Sequence, residues 1–204
     1  MAFRLPDGTI VEIVRQPSGN RSVRVVESRP GLLIEPPAPE ARVGDTAWYV
    51  PYTGVHPLTV AGAPADAVWV DVSASRVAYA GLLTALWEAG ETFALLEHDV
   101  VCPDDAVRSF EECPEPWCSY WYSDICCDGC REAWRNQLGC TRFRADLIAA
   151  VPDAVSSIPP GGLLEWTNLC DGVGNNLRAA GFTHHWHGAA EHHHMIQTIA
   201  EAVA

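Results

Sequence analysis

The sequence predicts an α/β fold in which a mainly parallel sheet is flanked by helices. Short buried-strand patterns occur at residues 48–50, 68–72 and 93–96, separated by loops or a helix, and this alternation is typical of parallel sheets. A helical pattern is clearest at residues 76–89, where apolar residues recur every three or four positions. With 204 residues, of which 48% are hydrophobic, the chain can form one such domain with a small appendage.

The N-terminal segment has a different pattern. Residues 9–15 and 22–27 are rich in β-branched side chains and lie between turn-forming residues, which predicts a small β-meander. The proline-rich residues 35–40 predict a stiff linker, with a docking motif for a proline-binding partner as the alternative. We therefore divide the chain into a meander with its linker, residues 1–40, and a Rossmann-like main domain, residues 41–204.

The remaining elements follow from local pattern. The helix at 76–89 is expected to be capped by Ser73 or Ser75 and to end at Gly90, because serine accepts bonds from free helix amides and glycine adopts the left-handed conformation. A strand is predicted at 116–122, an extended segment at 140–143, and a further extended segment at 182–187. Helices are predicted at 129–138, 144–151 and 195–204, and from 163 to a stop at Gly181.

Glu97-His98-Asp99 ends the apolar run at 93–96 and carries the strongest chemical signal. Carboxylates at the end of a buried strand are costly unless they are solvated, hydrogen-bonded or neutralised by a cation. Glu97 and Asp99 are two positions apart, so in an extended chain they would project together toward an oxygen-preferring cation such as Mg²⁺ or Mn²⁺. The alternative is two solvated acids at the start of a loop.

Other polar residues follow the neighbouring strands. In open parallel sheets, ligands bind beyond the carboxyl ends of the strands, so these loops are expected to form one cleft with Glu97 and Asp99. The polar residues concerned are Tyr52, Thr53, Asp71 and Ser73. Ordinary loop capping is the alternative role for each of them.

Seven of the eight cysteines lie between residues 102 and 140. Cys113 and Cys118, followed by Cys127 and Cys130, have a spacing compatible with a structural Zn²⁺ site, for which Cys126 is a competing ligand. The alternative is that these cysteines are small buried hydrophobic residues.

Histidines are concentrated near the C-terminus. If residues 182–187 are extended, His185 and His187 share one face, which would allow them to meet the acids across the cleft. Imidazole together with carboxylate favours Mn²⁺ over Mg²⁺, and an incidental surface cluster is the alternative. Asp171, on the helix that precedes them, is either a hydrogen-bonded structural residue or a general base.

The overall charge limits the partners. A formal charge of −13 does not suit unaided binding to nucleic-acid phosphates, and the one local group of basic residues comprises Arg131, Arg135, Arg142 and Arg144. The sequence shows no signal peptide pattern and no run of about 18 apolar residues, so we expect a cytoplasmic protein without a membrane span and with reduced cysteines.

The order of these motifs resembles small glycosyltransferases of the GT-A type, especially compact proteins of actinobacteria and their phages. The resemblance covers roughly residues 46–200. It rests on residues 70–73, the helix through Tyr79 and Trp87, residues 96–100, residues 138–143, Trp166 with Asp171, and the histidines after Gly181. Glutamate in place of aspartate at the first acidic position departs from the usual DXD motif, and the N-terminal meander has no counterpart.

The resemblance implies a metal-dependent transferase that uses a nucleotide-sugar donor such as a UDP-sugar. Asp99 would be the direct ligand of Mn²⁺ or Mg²⁺, and Glu97 would bind either the metal or donor hydroxyls. A late histidine, for which we select His187, would complete the metal shell, and Asp171 would be the catalytic base.

The same resemblance assigns the donor nucleotide to Tyr52, Thr53, Asp71, Ser73 and His98. A protein or small-molecule acceptor is favoured over DNA. Two alternatives remain. One is a noncatalytic zinc-stabilised binding or virion-associated module. The other is a metal-dependent hydrolase, against which the sequence has no compact His-Glu-x-x-His motif.

Overall fold

A computed structural model describes residues 2–4, 10–15, 21–27, 45–73, 77–122, 137–159 and 166–192. It confirms a mixed α/β fold with a mostly parallel six-stranded sheet flanked by helices. Within these residues, no helix has the length and apolar character needed to cross a membrane.

Three N-terminal strands form a separate antiparallel sheet in sequential order. They are β1 (Ala2–Arg4), β2 (Ile10–Arg15) and β3 (Arg21–Glu27), and β2 pairs with both of its neighbours. This is the arrangement expected for a meander. The proline-rich linker at 35–40 lies outside the described residues.

The main sheet has the order β10-β8-β9-β6-β4-β5. Its strands are β4 (Ala47–Tyr52), β5 (Val68–Asp71), β6 (Phe93–Leu96), β8 (Trp117–Trp121), β9 (Cys140–Phe143) and β10 (His185–Ala189). Only β9 runs antiparallel to its neighbours, so the other five strands have their carboxyl ends at one edge. Beyond that edge, β7 (Val100–Val101) pairs with β11 (Glu191–His192) in a short antiparallel ribbon.

Helices cover both faces of this sheet. They are α1 (Pro57–Gly62), α2 (Ala78–Ala89), α3 (Ala106–Glu112), α4 (Ala145–Ala150) and α5 (Trp166–Ala179). Strand β6 shows the effect on sequence: Phe93 and Leu95 pack into one hydrophobic cluster with Leu83 and Leu147, whereas Ala94 and Leu96 belong to the cluster on the other face. A strand buried on both faces therefore reads as a continuous apolar run.

Most predicted boundaries agree with the structure. Helix α2 ends at Gly90, whose φ of 71° is left-handed, and Gly181 follows α5 with a φ of 91°. The serine cap of α2 is not observed, because the N-cap is Val77 without a side-chain hydrogen bond, and Ser75 lies outside the described residues. The helices expected at 195–204 and, for the most part, at 129–138 also fall outside them.

Candidate functional site

Glu97 is buried just beyond the carboxyl end of β6. Both oxygens of its carboxylate accept hydrogen bonds from tyrosine hydroxyls: Oε1 from Tyr79 at 3.0 Å and Oε2 from Tyr122 at 3.3 Å. Burial, followed by the nearby charge of Asp99, raises the pKa of Glu97 to about 7, and the hydrogen bonds from the two tyrosines partly oppose this shift. Glu97 is therefore a carboxyl group that can hold a proton near neutral pH.

The two tyrosines come from different parts of the fold. Tyr79 lies in the first turn of α2 and Tyr122 directly follows β8, and both side chains are buried. Burial, followed by the charge of Glu97, raises the pKa of each hydroxyl well above its usual value. Both hydroxyls therefore remain protonated donors to Glu97, which explains how the fold tolerates a buried carboxyl group at this position.

Asp99 lies two residues further along and has a different environment. Its Oδ2 is 3.3 Å from Nε2 of His192, which belongs to β11, and the two side chains are only 18% and 10% exposed. Burial alone would raise the pKa of Asp99, but the His192 hydrogen bond and the neighbouring charges of His98 and His192 outweigh burial and lower it. Asp99 is thus an ionised carboxylate held against an imidazole.

His98, between the two acids, holds the turn against the end of β4. Its ring hydrogen-bonds the Pro51 carbonyl, and its own carbonyl accepts the backbone N–H of His56 at 3.0 Å. Burial lowers the pKa of His98 and outweighs the charge of Asp99, which raises it. His98 therefore connects the ends of β4 and β6 through its hydrogen bonds, and it also stays a candidate for contact with a nucleotide-sugar donor.

The candidates after β4 and β5 lie at the same edge of the sheet, because Tyr52 is paired in register with Asp71. Asp71 is exposed and accepts the Ser73 backbone N–H at 2.8 Å, and its hydrogen bonds with Ser73 lower the pKa of its carboxyl group. Burial, then the charge of Asp71, raises the pKa of the half-buried Tyr52. Thr53 is exposed beside them. These residues form an accessible polar rim next to the Glu97 turn.

Asp171 lies on α5 next to Cys170. Burial, followed by the charge of Glu97 and with a smaller contribution from Asp171, raises the pKa of the Cys170 thiol. Cys170 is therefore close to both acids, so α5 brings partly exposed Asp171 to the side of the sheet edge that holds Glu97.

His185 and His187 share one face of β10, as predicted, but they do not join the acids. Among the described residues, the one group of three or more potential ligands whose donor atoms all lie within 4.8 Å of one another comprises His185, His187 and Cys113. The late histidine that the structure brings to Asp99 is His192. The expected cluster of His185 and His187 with Asp99 and Glu97 is therefore not formed in the part of the chain that the structure describes.

Only two of the four cysteines of the predicted zinc site belong to the residues that the structure describes. Cys113 and Cys118 are both buried and hydrogen-bond to each other, and burial is the main reason that the pKa of Cys118 is raised. Cys127 and Cys130, like the competing Cys126, lie outside the described residues.

Arg142, one of the local group of basic residues, is buried, with an exposure of 3%. Its guanidinium donates to the backbone carbonyls of Phe110, Cys113 at 3.0 Å and Glu115 at 2.5 Å. Arg142 thereby holds the C-terminal end of α3 and the loop that follows it. An arginine can do this because its planar guanidinium group carries five N–H donors in a fixed arrangement.

Two features of the site were missed from the sequence. The tyrosine donors of Glu97 were only weakly predictable. A buried carboxyl group requires hydrogen-bond donors, and a tyrosine hydroxyl is a common donor in a protein core. The choice of His192 carried no signal, since six histidines lie between residues 184 and 194. No protein-family model, curated protein sequence or solved structure matches this chain.

Proposed function

We propose that this protein is a metal-dependent glycosyltransferase of the GT-A type, which transfers a sugar from a nucleotide-sugar donor to a hydroxyl acceptor. The observation that carries the proposal is the pairing of Asp99 with His192 beyond the carboxyl end of β6. A mostly parallel sheet, with polar rims after β4 and β5 at the same edge, supports it.

The residues present fit a divalent cation at Asp99 and His192. An ionised carboxylate and an imidazole with donor atoms 3.3 Å apart form a mixed shell that suits Mn²⁺, with further positions left for water and phosphate oxygens. Glu97 fits this role less well because both of its oxygens already accept tyrosine hydrogen bonds. A bound cation would stabilise negative charge on the donor diphosphate.

The protein groups around this position have separable tasks. Asp99 supplies negative charge, and His192 is held beside it by the pairing of β11 with β7. Tyr52 and Asp71 form the rim that would contact the nucleotide. Asp171 is the candidate base for the acceptor hydroxyl if the reaction inverts configuration.

The acceptor is a protein or a small molecule rather than unaided DNA. The chain carries a formal charge of −13, and Arg142 is committed to backbone carbonyls inside the fold. Arg144 is 3.3 Å from Asp146, so part of its charge is neutralised at the surface. Arg131 and Arg135 lie outside the described residues. A phosphate-binding track needs several free cations, which these contacts do not provide.

The test uses two matched pairs of variants. Asp99→Asn and His192→Gln should weaken Mn²⁺ binding, followed by the resonance signal of free Mn²⁺, by more than about tenfold, since each removes a direct ligand. At about pH 6, where Glu97 is mostly protonated, Glu97→Gln and His187→Gln should bind Mn²⁺ within about threefold of wild type, because neither residue is a ligand in this proposal. The wild type should also release free nucleotide from at least one nucleotide sugar only when Mn²⁺ is present.

Unchanged Mn²⁺ affinity in both Asp99→Asn and His192→Gln would mean that these residues form an ion pair and not a metal site. Metal binding without nucleotide release, across UDP-, GDP- and dTDP-sugars, would exclude donor hydrolysis and favour a binding module. Salt-sensitive sugar transfer to hydroxymethylated DNA, lost on Arg144→Ala, would retain the enzyme class and overturn the choice of acceptor.

A further inference from the structure

A second cluster of metal-binding side chains lies away from the Asp99 turn. Cys113 is the C-cap residue of α3, and His185 and His187 project from β10, the edge strand of the sheet. One donor atom from each side chain lies within 4.8 Å of the other two, and the two imidazole ring centres are 4.8 Å apart. Three different donors therefore converge on one small volume.

The spacing of the donors suits one ion. When three atoms are no more than 4.8 Å apart, some point lies within about 2.8 Å of all of them. Zinc is bound by thiolate sulfur at about 2.3 Å and by imidazole nitrogen at about 2.0 Å. Shifts of about 0.8 Å for the nitrogen atoms and about 0.5 Å for the sulfur, within the reach of side-chain torsions, would therefore bring all three donors to bonding distance.

The surroundings of the cluster favour ligation over simple packing. Nε2 of His187 is shielded from solvent and has no hydrogen-bond partner within the described part of the chain. The His187 ring packs against the rings of Phe110 and Tyr120, with centroid distances of 5.6 Å and 5.4 Å, and those two rings also contact each other. A polar ring nitrogen enclosed in this way lacks the partner that buried polar groups normally have.

The backbone beside Cys113 is held in place from two sides. The Cys113 N–H donates to the Ser109 carbonyl at 3.1 Å, and its carbonyl accepts from Arg142 at 3.0 Å. His185 is exposed, which leaves the cluster open to solvent on one side.

We infer that Cys113, His185 and His187 form a zinc site with three protein ligands and a fourth position open to water. Thiolate and imidazole select Zn²⁺ over the oxygen-preferring Mg²⁺ and Mn²⁺, so this site is distinct from the one containing Asp99. On binding, the Cys113 thiol loses its proton to solvent and its sulfur bonds to the ion. The bound ion links the end of α3 to the edge strand β10 and stabilises both.

The experiment uses the full chain without a histidine tag, stripped of metal and titrated with Co²⁺ as a spectroscopic substitute for Zn²⁺. Wild type should develop a thiolate-to-cobalt charge-transfer band that one equivalent of Zn²⁺ removes. Cys113→Ser should abolish the band, and His185→Asn and His187→Asn should each weaken Co²⁺ binding by more than about tenfold. Zinc should raise the thermal midpoint of wild type but not of these variants.

The controls are a neighbouring cysteine, a neighbouring histidine and the other proposed metal site: Cys118→Ser, His184→Asn and Asp99→Asn should keep the band. Because buried Cys113 contributes to packing, exposed His185 provides the variant least able to disturb the fold. Retention of the band and of zinc in both His185→Asn and His187→Asn would overturn the proposal. So would a band that survives Cys113→Ser and disappears with Cys127→Ser and Cys130→Ser, which would assign the metal to the cysteines instead.

Discussion

Glu97→Gln should change how the stability of this protein depends on pH. In the folded chain the pKa of Glu97 is about 7, compared with an ordinary value of 4.5, because its carboxyl group is buried beside Asp99. Between these two values the folded state holds a proton that the unfolded state has released. The free energy of unfolding therefore falls as the pH rises from 4.5 toward 7.

The size of the effect follows from the same two values. A difference of about 2.5 between the folded and unfolded pKa corresponds to about 3 kcal/mol at most. Between about pH 5.5 and about pH 8, this one group should reduce the stability of wild type by about 2 kcal/mol. Glutamine cannot ionise, but its amide can still accept from one tyrosine hydroxyl and donate to the other.

The assay is urea unfolding of wild type and Glu97→Gln at both pH values, in the presence of a chelator. Subtracting the free energy of unfolding of one protein from that of the other at each pH cancels the groups that titrate alike in both, so the difference reports the ionisation of Glu97. From about pH 5.5 to about pH 8, we expect the free energy of unfolding of Glu97→Gln to rise by about 2 kcal/mol relative to that of wild type. Glu88→Gln, an exposed site on α2, controls for the loss of one negative charge. A difference that is equal at both pH values, or that favours wild type at high pH, would refute the reasoning.

Two further substitutions test the contacts that hold the site together. Arg142→Met should lower the free energy of unfolding by about 3 kcal/mol, because it leaves several buried carbonyls without a charged donor. The measurement is urea unfolding, with exposed Arg108→Met as the control. An effect as small as that of the control would contradict this prediction. Gly139→Ala should cost about 1–3 kcal/mol, since the added Cβ would lie 2.5 Å from the Tyr122 hydroxyl oxygen. In a Tyr122→Ala background that cost should disappear, and its persistence would show that the clash lies elsewhere.

Elements with a strong local pattern were predictable from sequence. The run at 93–96 is apolar at every position because β6 has helices on both faces, and Gly90 ends α2 because its left-handed backbone favours glycine. The place of the two acids in the fold was predictable for the same reason, because Glu97 and Asp99 directly follow the apolar run of β6.

The partner of Asp99 could not be chosen from sequence. His187 and His192 are both near the C-terminus, and nothing in their spacing shows which strand each will pair with. In the fold, β10 pairs with β8 and places His187 against Phe110, whereas β11 crosses to β7 and carries His192 to the acidic turn. The register of β10 also shifts between Trp186 and Ala189, so strict alternation does not extend to the residues beyond it.

The divergence of Glu97 and Asp99 has a simple geometric cause. Residues two positions apart project together only while the chain remains extended, and β6 ends at Leu96. The chain then turns, with the Val100 N–H donating to the Glu97 carbonyl at 3.0 Å. Glu97 continues the alternation of β6 toward Tyr79, while Asp99 is redirected toward His192.

This turn gives two neighbouring carboxyl groups opposite properties. Burial raises the pKa of Glu97 to about 7, whereas hydrogen bonding and nearby histidine charge lower that of Asp99. Two nearby carboxylates repel each other, so a proton on Glu97 favours the ionised state of Asp99, and a cation at Asp99 would in turn favour ionisation of Glu97. Addition of Mn²⁺ should therefore reduce the pH-dependent stability difference between wild type and Glu97→Gln, and it should have no such effect in an Asp99→Asn background.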